Sequence, residues 1–352
     1  MLKYQFPAVK GKQAGKEYYI CMVPLGLLGK IFLTDNNDVA PEHRAQRKLN
    51  ELRVPEIRDY ILDNRNSYVF SALAASVDGE MNFVPSSPQA NTGLLEIDMD
   101  ALFLINDGQH RKAAIEAAMI EDESLKDETI SVVMFKDQGL KSSQQMFTDL
   151  NKHAVTTSKS LNTLYESKDR VAIITKNVVN SIDFLRKYTD KERDNLSKFS
   201  SNIFTLNTFY TAHKRIVKII GDDESSEKLI NDFWRNVVSN MREWNEMDRG
   251  ELSKKSLRED YIITQGLIIL ALGRVCEFLC YNNIDIPSAL MGLNKIDWLR
   301  NNEECWMNRA IKPSGKINRN EQGIFMTYVQ IKRLLGLPIT NEEAKKELMM
   351  RG

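Results

Sequence analysis

The chain has 352 residues, 42% of them apolar, and its 48 Lys and Arg are balanced by 48 Asp and Glu. That length exceeds one average domain and carries enough apolar side chain for a sizeable core, while the charge balance excludes a global positive field, so any attraction to nucleic acid must come from a local patch. Four cysteines (Cys21, Cys276, Cys280, Cys305) do not make a disulfide framework in a chain this long, and no basic start runs into an apolar leader, so a cytoplasmic protein is expected.

Short strand-like runs fill the first half, at Tyr18 to Leu25, Ser67 to Val77, Leu94 to Asp98, Leu102 to Asn106 and Thr129 to Phe135. Between them His43 to Asn64 repeats apolar residues at helical spacing, with Pro55 predicting either two helices or a kink. After about Ser167 the strand patterns stop. Helix-length patterns follow around 168 to 188, 205 to 220, 226 to 247, 256 to 281 and 322 to 335, with a last one from 340. The expected fold is therefore α+β: a mixed α/β domain over residues 1 to 165, then a mainly α-helical domain over 166 to 352. The longest apolar run, Ile263 to Gly273, is too short to span a bilayer and reads as a buried helix, and Cys276 and Cys280, one helical turn apart just beyond it, read as buried cysteines of an apolar helix.

The stretch LFLINDGQHRKAAIEAAM, Leu102 to Met119, places three polar side chains where a strand hands over to a helix. Asp107 and Gly108 supply the turn, and Gln109, His110 and Arg111 fall on the first turn of the following Ala-rich helix. There, unpaired backbone amides and the helix dipole favour an anion, to which Arg111 adds a bidentate donor and His110 a second donor or a proton shuttle. Two readings stand side by side: a phosphate-binding helix start, or Asp107 as N-cap with Arg111 paired to an acid such as Glu116 or Asp100. A first-turn Arg111 is also expected to contribute little to the fold.

The five residues Asp107 to Arg111 are the signature of DGQHR-domain proteins. The chain resembles that family, in particular its DndB-like members from DNA phosphorothioation systems. Two later segments resemble it too: Gln145 to Arg170, with an F-x-D-L-N-x-x-A pattern followed by S-L-N, and Ser197 to Ala212. The resemblance implies a ParB/sulfiredoxin-like N-terminal domain and a DNA-binding regulator, a transcriptional repressor of the phosphorothioation gene cluster. In the wider superfamily this turn lies beside nucleotide phosphates. Gln109 stands where sulfiredoxins carry their reactive cysteine, which argues against peroxiredoxin repair.

The remaining candidates are weaker. In FTDLNKHA, Phe147 and Leu150 are expected inward, while Asn151 and Lys152 are second-tier ligands at a helix end, or part of a solvated C-terminus. Residues 166 to 352 hold 30 basic and 26 acidic side chains. Two basic features stand out there: a helix face carrying His213, Lys214, Arg215 and Lys218, and the stretch Ile311 to Asn320, where Lys312, Lys316 and Arg319 have no acid among them and Pro, Gly and Ser predict a flexible loop. Either is a solvated surface or a contact for DNA backbone phosphates. GLLGKIF (Gly26 to Phe32) is not a P-loop, since only two residues separate its glycines and Ile31 stands where Ser or Thr would bind magnesium.

Double-stranded DNA is thus the expected partner, with other proteins of the phosphorothioation system and a second copy of the chain behind it; no membrane and no resident metal are expected. The rival reading is an enzyme that hydrolyses a nucleotide or a DNA phosphate at the same turn. There Asp107 would hold magnesium with the nucleotide, His110 would move the proton, and Glu80, Asp98 and Asp100 would converge as a second acidic group.

Overall fold

The computed structural model describes residues 2–32, 51–152, 157–197 and 200–351, which pack as two compact units, Met1–Val155 and Thr156–Gly352. In the first unit, the described residues form a seven-stranded sheet: β1 (Lys3–Gln13), β2 (Lys16–Pro24), β3 (Leu73–Asp78), β4 (Met81–Pro85), β5 (Thr92–Asp98), β6 (Leu102–Asp107) and β7 (Thr129–Lys136), in the order β4-β5-β1-β2-β7-β3-β6. Neighbours run antiparallel except β3 and β7. Period-two patterning turns Phe6, Ala8, Cys21, Val23, Leu95, Ile97, Val132 and Met134 inward and leaves Val9, Ile20, Met22 and Leu94 exposed on the opposite face. Helices α1 (Leu25–Ile31), α2 (Val54–Asp63) and α3 (Gln109–Glu121) cover the inner face with Leu28, Ile61, Ile115 and Ala118, and α4 (Leu140–Lys152) follows β7.

Several expectations are corrected here. Pro55 lies in the first turn of α2, where its missing N–H is not needed; the pattern from His43 to Asn50 lies outside the described residues. The strand expected from Ser67 starts only at Leu73. Ahead of it, Arg65 pairs with Asp122 and Glu128, the Tyr68 hydroxyl donates to Glu128, and the Val69 amide donates to the Tyr60 hydroxyl at 3.0 Å, so these groups bond to side chains rather than to a strand. β1 escaped notice because Pro7, Gly11 and three lysines interrupt its apolar alternation. Leu150, expected inward, is exposed.

The second unit is helical. It comprises α5 (Lys159–Tyr165), α6 (Arg170–Ser181), α7 (Asp183–Tyr188), α8 (Leu206–Ile220), α9 (Glu224–Asn240), α10 (Arg242–Asp248), α11 (Lys254–Glu259), α12 (Gly266–Tyr281), α13 (Ile286–Leu290), α14 (Glu303–Trp306), α15 (Glu321–Leu334) and α16 (Asn341–Arg351), with a two-residue parallel pair β8 (Thr189–Asp190) and β9 (Phe204–Thr205) before α8. α12 is the apolar run of the sequence and lies in the core with Cys276 fully buried; no helix of the described residues is long and apolar enough to cross a membrane. α8 lies beside it. A Cβ on Gly266 would stand 3.4 Å from Thr208, one on Gly273 2.9 Å from the Ala212 Cβ, and Arg215 donates to Glu277. These approaches come in the same order along both helices, which makes the pair parallel, so their amino-terminal ends sit together.

His213 does not belong to the basic face. It lies four residues after Phe209 and three before Ile216, within the apolar stripe of α8, and it is fully buried. The Trp234 indole N–H donates to its Nε2 at 2.7 Å, which leaves Nδ1–H to donate to Thr175 Oγ1 at 2.9 Å, while that hydroxyl donates to the Val171 carbonyl. Burial pushes the imidazole pKa down to about 3. Ile219, next to Lys218, is exposed as well.

A pH dependence follows. The unfolded chain protonates this histidine near pH 6.5 and the folded chain only near 3, so its contribution to stability is complete above about 6.5 and is lost as pH falls between those values. Between pH 7.5 and 5 the loss is about 2 kcal/mol. Urea unfolding at both pH values should show this loss in the parent and a smaller one in His213→Gln; identical pH dependence in the two would contradict it.

Candidate functional site

The DGQHR turn is the hinge between β6 and α3. Gly108 takes φ +102°, and a Cβ there would lie 2.3 Å from Leu73 Cδ2 and 3.1 Å from the Arg111 guanidinium, so only glycine fits. No side chain caps α3, which leaves its first amides without intrahelical acceptors. Gln109 and His110 are half-exposed at this end.

Arg111 points back into the protein. Its Nη2 donates to Asp107 Oδ2 at 2.6 Å, and its Nη1 donates to the Ser71 carbonyl at 2.6 Å, the Ser71 hydroxyl at 2.5 Å and the Ala72 carbonyl at 3.0 Å. The side chain is 17% exposed. The acid that holds it is Asp107 rather than Glu116, whose partner is Lys112. Arg111 thus ties the turn to the lead-in of β3, and the expectation that it matters little to the fold is revised.

Behind the turn runs a buried polar chain that the sequence does not announce. The Ser76 hydroxyl donates to Asn106 Oδ1 at 2.9 Å, and Ser143 of α4 donates to Ser76 and, at 2.9 Å, to Asp137. Asn106 Nδ2 is buried without an acceptor among the described residues. Asn151 and Lys152 close α4, and both candidate side chains lie outside the described residues. Glu80, Asp98 and Asp100 form no metal site: among the described residues no three His, Cys, Asp or Glu side chains gather to hold one.

In the second unit, Lys214, Arg215 and Lys218 are exposed on the later half of α8, Arg215 being paired with Glu277. The expected flexible loop is instead a closed turn: the Lys312 amide donates to the Lys316 carbonyl and the Gly315 amide to the Lys312 carbonyl, both at 2.8 Å, with Ile311 bridging to Met307 and Ile317. Lys312 and Lys316 stand exposed on it. Arg319 lies elsewhere, lining a cavity of about 760 Å³ with Thr205, Asn207, Arg258, Gln265 and Arg300. Thr205 lies at the start of α8, and nine to thirteen residues of helix put Lys214 and Lys218 roughly 14 to 20 Å further along, although Thr211 of the same cavity wall is only one turn before Lys214.

With these positions fixed, comparison with protein families finds one family model, DndB (DNA-sulfur modification-associated), matching residues 6–338. The chain belongs to the DndB family. Membership associates it with DNA sulfur modification, and the match spans the DGQHR turn of the first unit together with the Ser160 to Asn162 segment and the start of α8 in the second. No curated protein and no solved structure matches the chain. In this DndB-family chain those last two segments touch, the Asn207 amide donating to Ser160 Oγ at 3.2 Å, and Asn207 is also part of the cavity wall. Arg258, Thr264, Gln265 and Arg300 complete the cavity wall, and no sequence pattern singled them out, because their elements are far apart along the chain.

Arg111→Ala should cost about 1–3 kcal/mol of unfolding free energy, since it leaves Asp107 and two carbonyls without their charged donor. Gly108→Ala should also destabilise, through positive φ and the Leu73 clash. Urea unfolding checks both; an Arg111→Ala variant as stable as the parent would show that the guanidinium is not structural.

Proposed function

We propose that the chain is a DNA-binding regulator, a transcriptional repressor of a DNA phosphorothioate modification gene cluster. The observation that carries this reading is the match of nearly the whole chain to the family associated with DNA sulfur modification. Two further features support it. Lys214 and Lys218 project from one helix without ion-pair partners among the described residues, and Lys312 and Lys316 do the same on a rigid turn. Such side chains suit backbone phosphates, which fix position without reporting sequence.

In this proposal the first unit keeps its ParB/sulfiredoxin-like role, supported by the strand, turn and helix order around Gly108. The α3 amides, Gln109 and His110 take a phosphate of DNA or of a nucleotide, and Arg111 holds the turn in shape for it. Because Asp107 is tied to Arg111, it is less suited to the metal-holding task that the hydrolytic rival gives it. Double-stranded DNA is the proposed partner, with a homo-oligomer to match a twofold-symmetric operator, and other proteins of the modification system as further partners.

Replacing Lys214 and Lys218 by Ala should weaken specific and non-specific duplex binding by similar factors and lower the slope of log affinity against log salt by roughly 1.8, about 0.9 for each phosphate that is no longer neutralised. Adding Arg215→Ala should lower it by less than another 0.9 or so, because Glu277 already neutralises that guanidinium. Fluorescence anisotropy across a salt series measures both. An unaltered slope would remove α8 from the DNA interface.

A further inference from the structure

The cavity at the shared amino-terminal end of α8 and α12 has a use that DNA binding does not require. Both helices are long enough to carry a dipole, and neither Thr205 nor Gln265, the residues that precede them, caps its helix with its own side chain. Because the pair is parallel, two positive helix ends face the same space, although the Asn207 amide is already bonded to Ser160 Oγ and the Ile268 amide to the Gln265 carbonyl. Arg258, Arg300 and Arg319 add three guanidinium groups. Among the described residues neither Arg300 nor Arg319 is in an ion pair, and Arg300 Nε is buried without an acceptor. The Arg258 guanidinium donates to the Asn202 carbonyl, and burial holds its pKa below the ordinary guanidinium value.

Two acids share the wall. Asp194 is engaged: it accepts from the Lys159 amide at 2.7 Å and from the Ser160 amide and hydroxyl at 2.8 Å, which caps α5. Glu259 is on the exposed rim. An independent sign of a missing partner comes from Thr264, which lines the cavity, is 9% exposed and has a buried hydroxyl with no hydrogen-bond partner among the described residues. Such a group costs stability unless something fills its valence. Apolar wall comes from Phe204, Leu267 and Leu270. Cationic donors, two helix ends and an apolar side, in a volume of about 760 Å³, suit a small molecule with a phosphate group better than the outside of a duplex.

We propose that this cavity binds a small phosphorylated ligand, its phosphate held between the first turns of α8 and α12 by Arg258, Arg300 and Arg319, with Thr264 bonding to the ligand's polar edge. Lys214 and Lys218 are not among the residues that line the cavity, so ligand and duplex are given different side chains of the second unit.

Isothermal titration of the full chain with inorganic pyrophosphate tests this. The parent should bind it, and Arg300→Gln and the surface variant Arg319→Gln should each bind at least tenfold more weakly while giving the parent's circular dichroism. Thr264→Val should lose affinity severalfold yet melt at the same temperature or higher, a combination that a purely structural hydroxyl would not give. Lys214→Gln should bind pyrophosphate like the parent. Absence of pyrophosphate binding at millimolar concentration overturns the proposal, as does binding that neither arginine variant weakens. If instead both arginine variants lose duplex affinity while pyrophosphate binding is unchanged, the cavity belongs to the DNA surface and the proposal is again overturned.

Discussion

The second unit depends on how closely α8 and α12 approach each other. Gly273 faces Ala212 so tightly that an added Cβ would lie 2.9 Å from the alanine's, well inside normal packing distance, and with Gly266 beside Thr208 and Glu277 beside Arg215 the two helices run side by side and parallel. This one constraint sets three things at once. It buries the apolar face of α12, puts His213 in the core against Trp234 and Thr175, and gathers the amino-terminal ends of both helices around one cavity while Lys214 and Lys218 lie toward the other end.

The first unit shows the same logic on a smaller scale. Gly108 lets β6 turn into α3 with Leu73 pressed against it, and that proximity brings the Arg111 guanidinium within reach of the Ser71 and Ala72 carbonyls as well as Asp107. The signature turn is therefore a braced structure. Its arginine fixes the shape of the turn that presents the α3 amides.

Much of the fold was legible in the sequence, because period-two and helical apolar patterns report directly which face is buried. β2, β5, β6 and β7 and the long helices of the second unit follow those patterns closely. Where a pattern was interrupted, the reading failed: Pro7 and Gly11 hid β1, and the bonds of Tyr68 and Val69 to side chains shortened β3. His213 was misread as surface because its residue type outweighed its place in the stripe of Phe209 and Ile216. The turn at Asp107 to Arg111 was legible as a motif, but the inward direction of Arg111 depends on Ser71, 40 residues away. The cavity as such was not legible: Arg319 stood out only as part of a basic stretch and Thr205 only within a resembling segment, and both meet Arg258, Gln265 and Arg300 only through the packing of separate elements.

Sequence-specific DNA binding is the central claim, and its direct test is a comparison of two duplexes of equal length at physiological salt. One carries the DNA upstream of the chain's own gene and the other a scrambled sequence of the same composition. A repressor should prefer the first by roughly a thousandfold or more. Equal affinity for both, or no measurable affinity for either, would contradict the account.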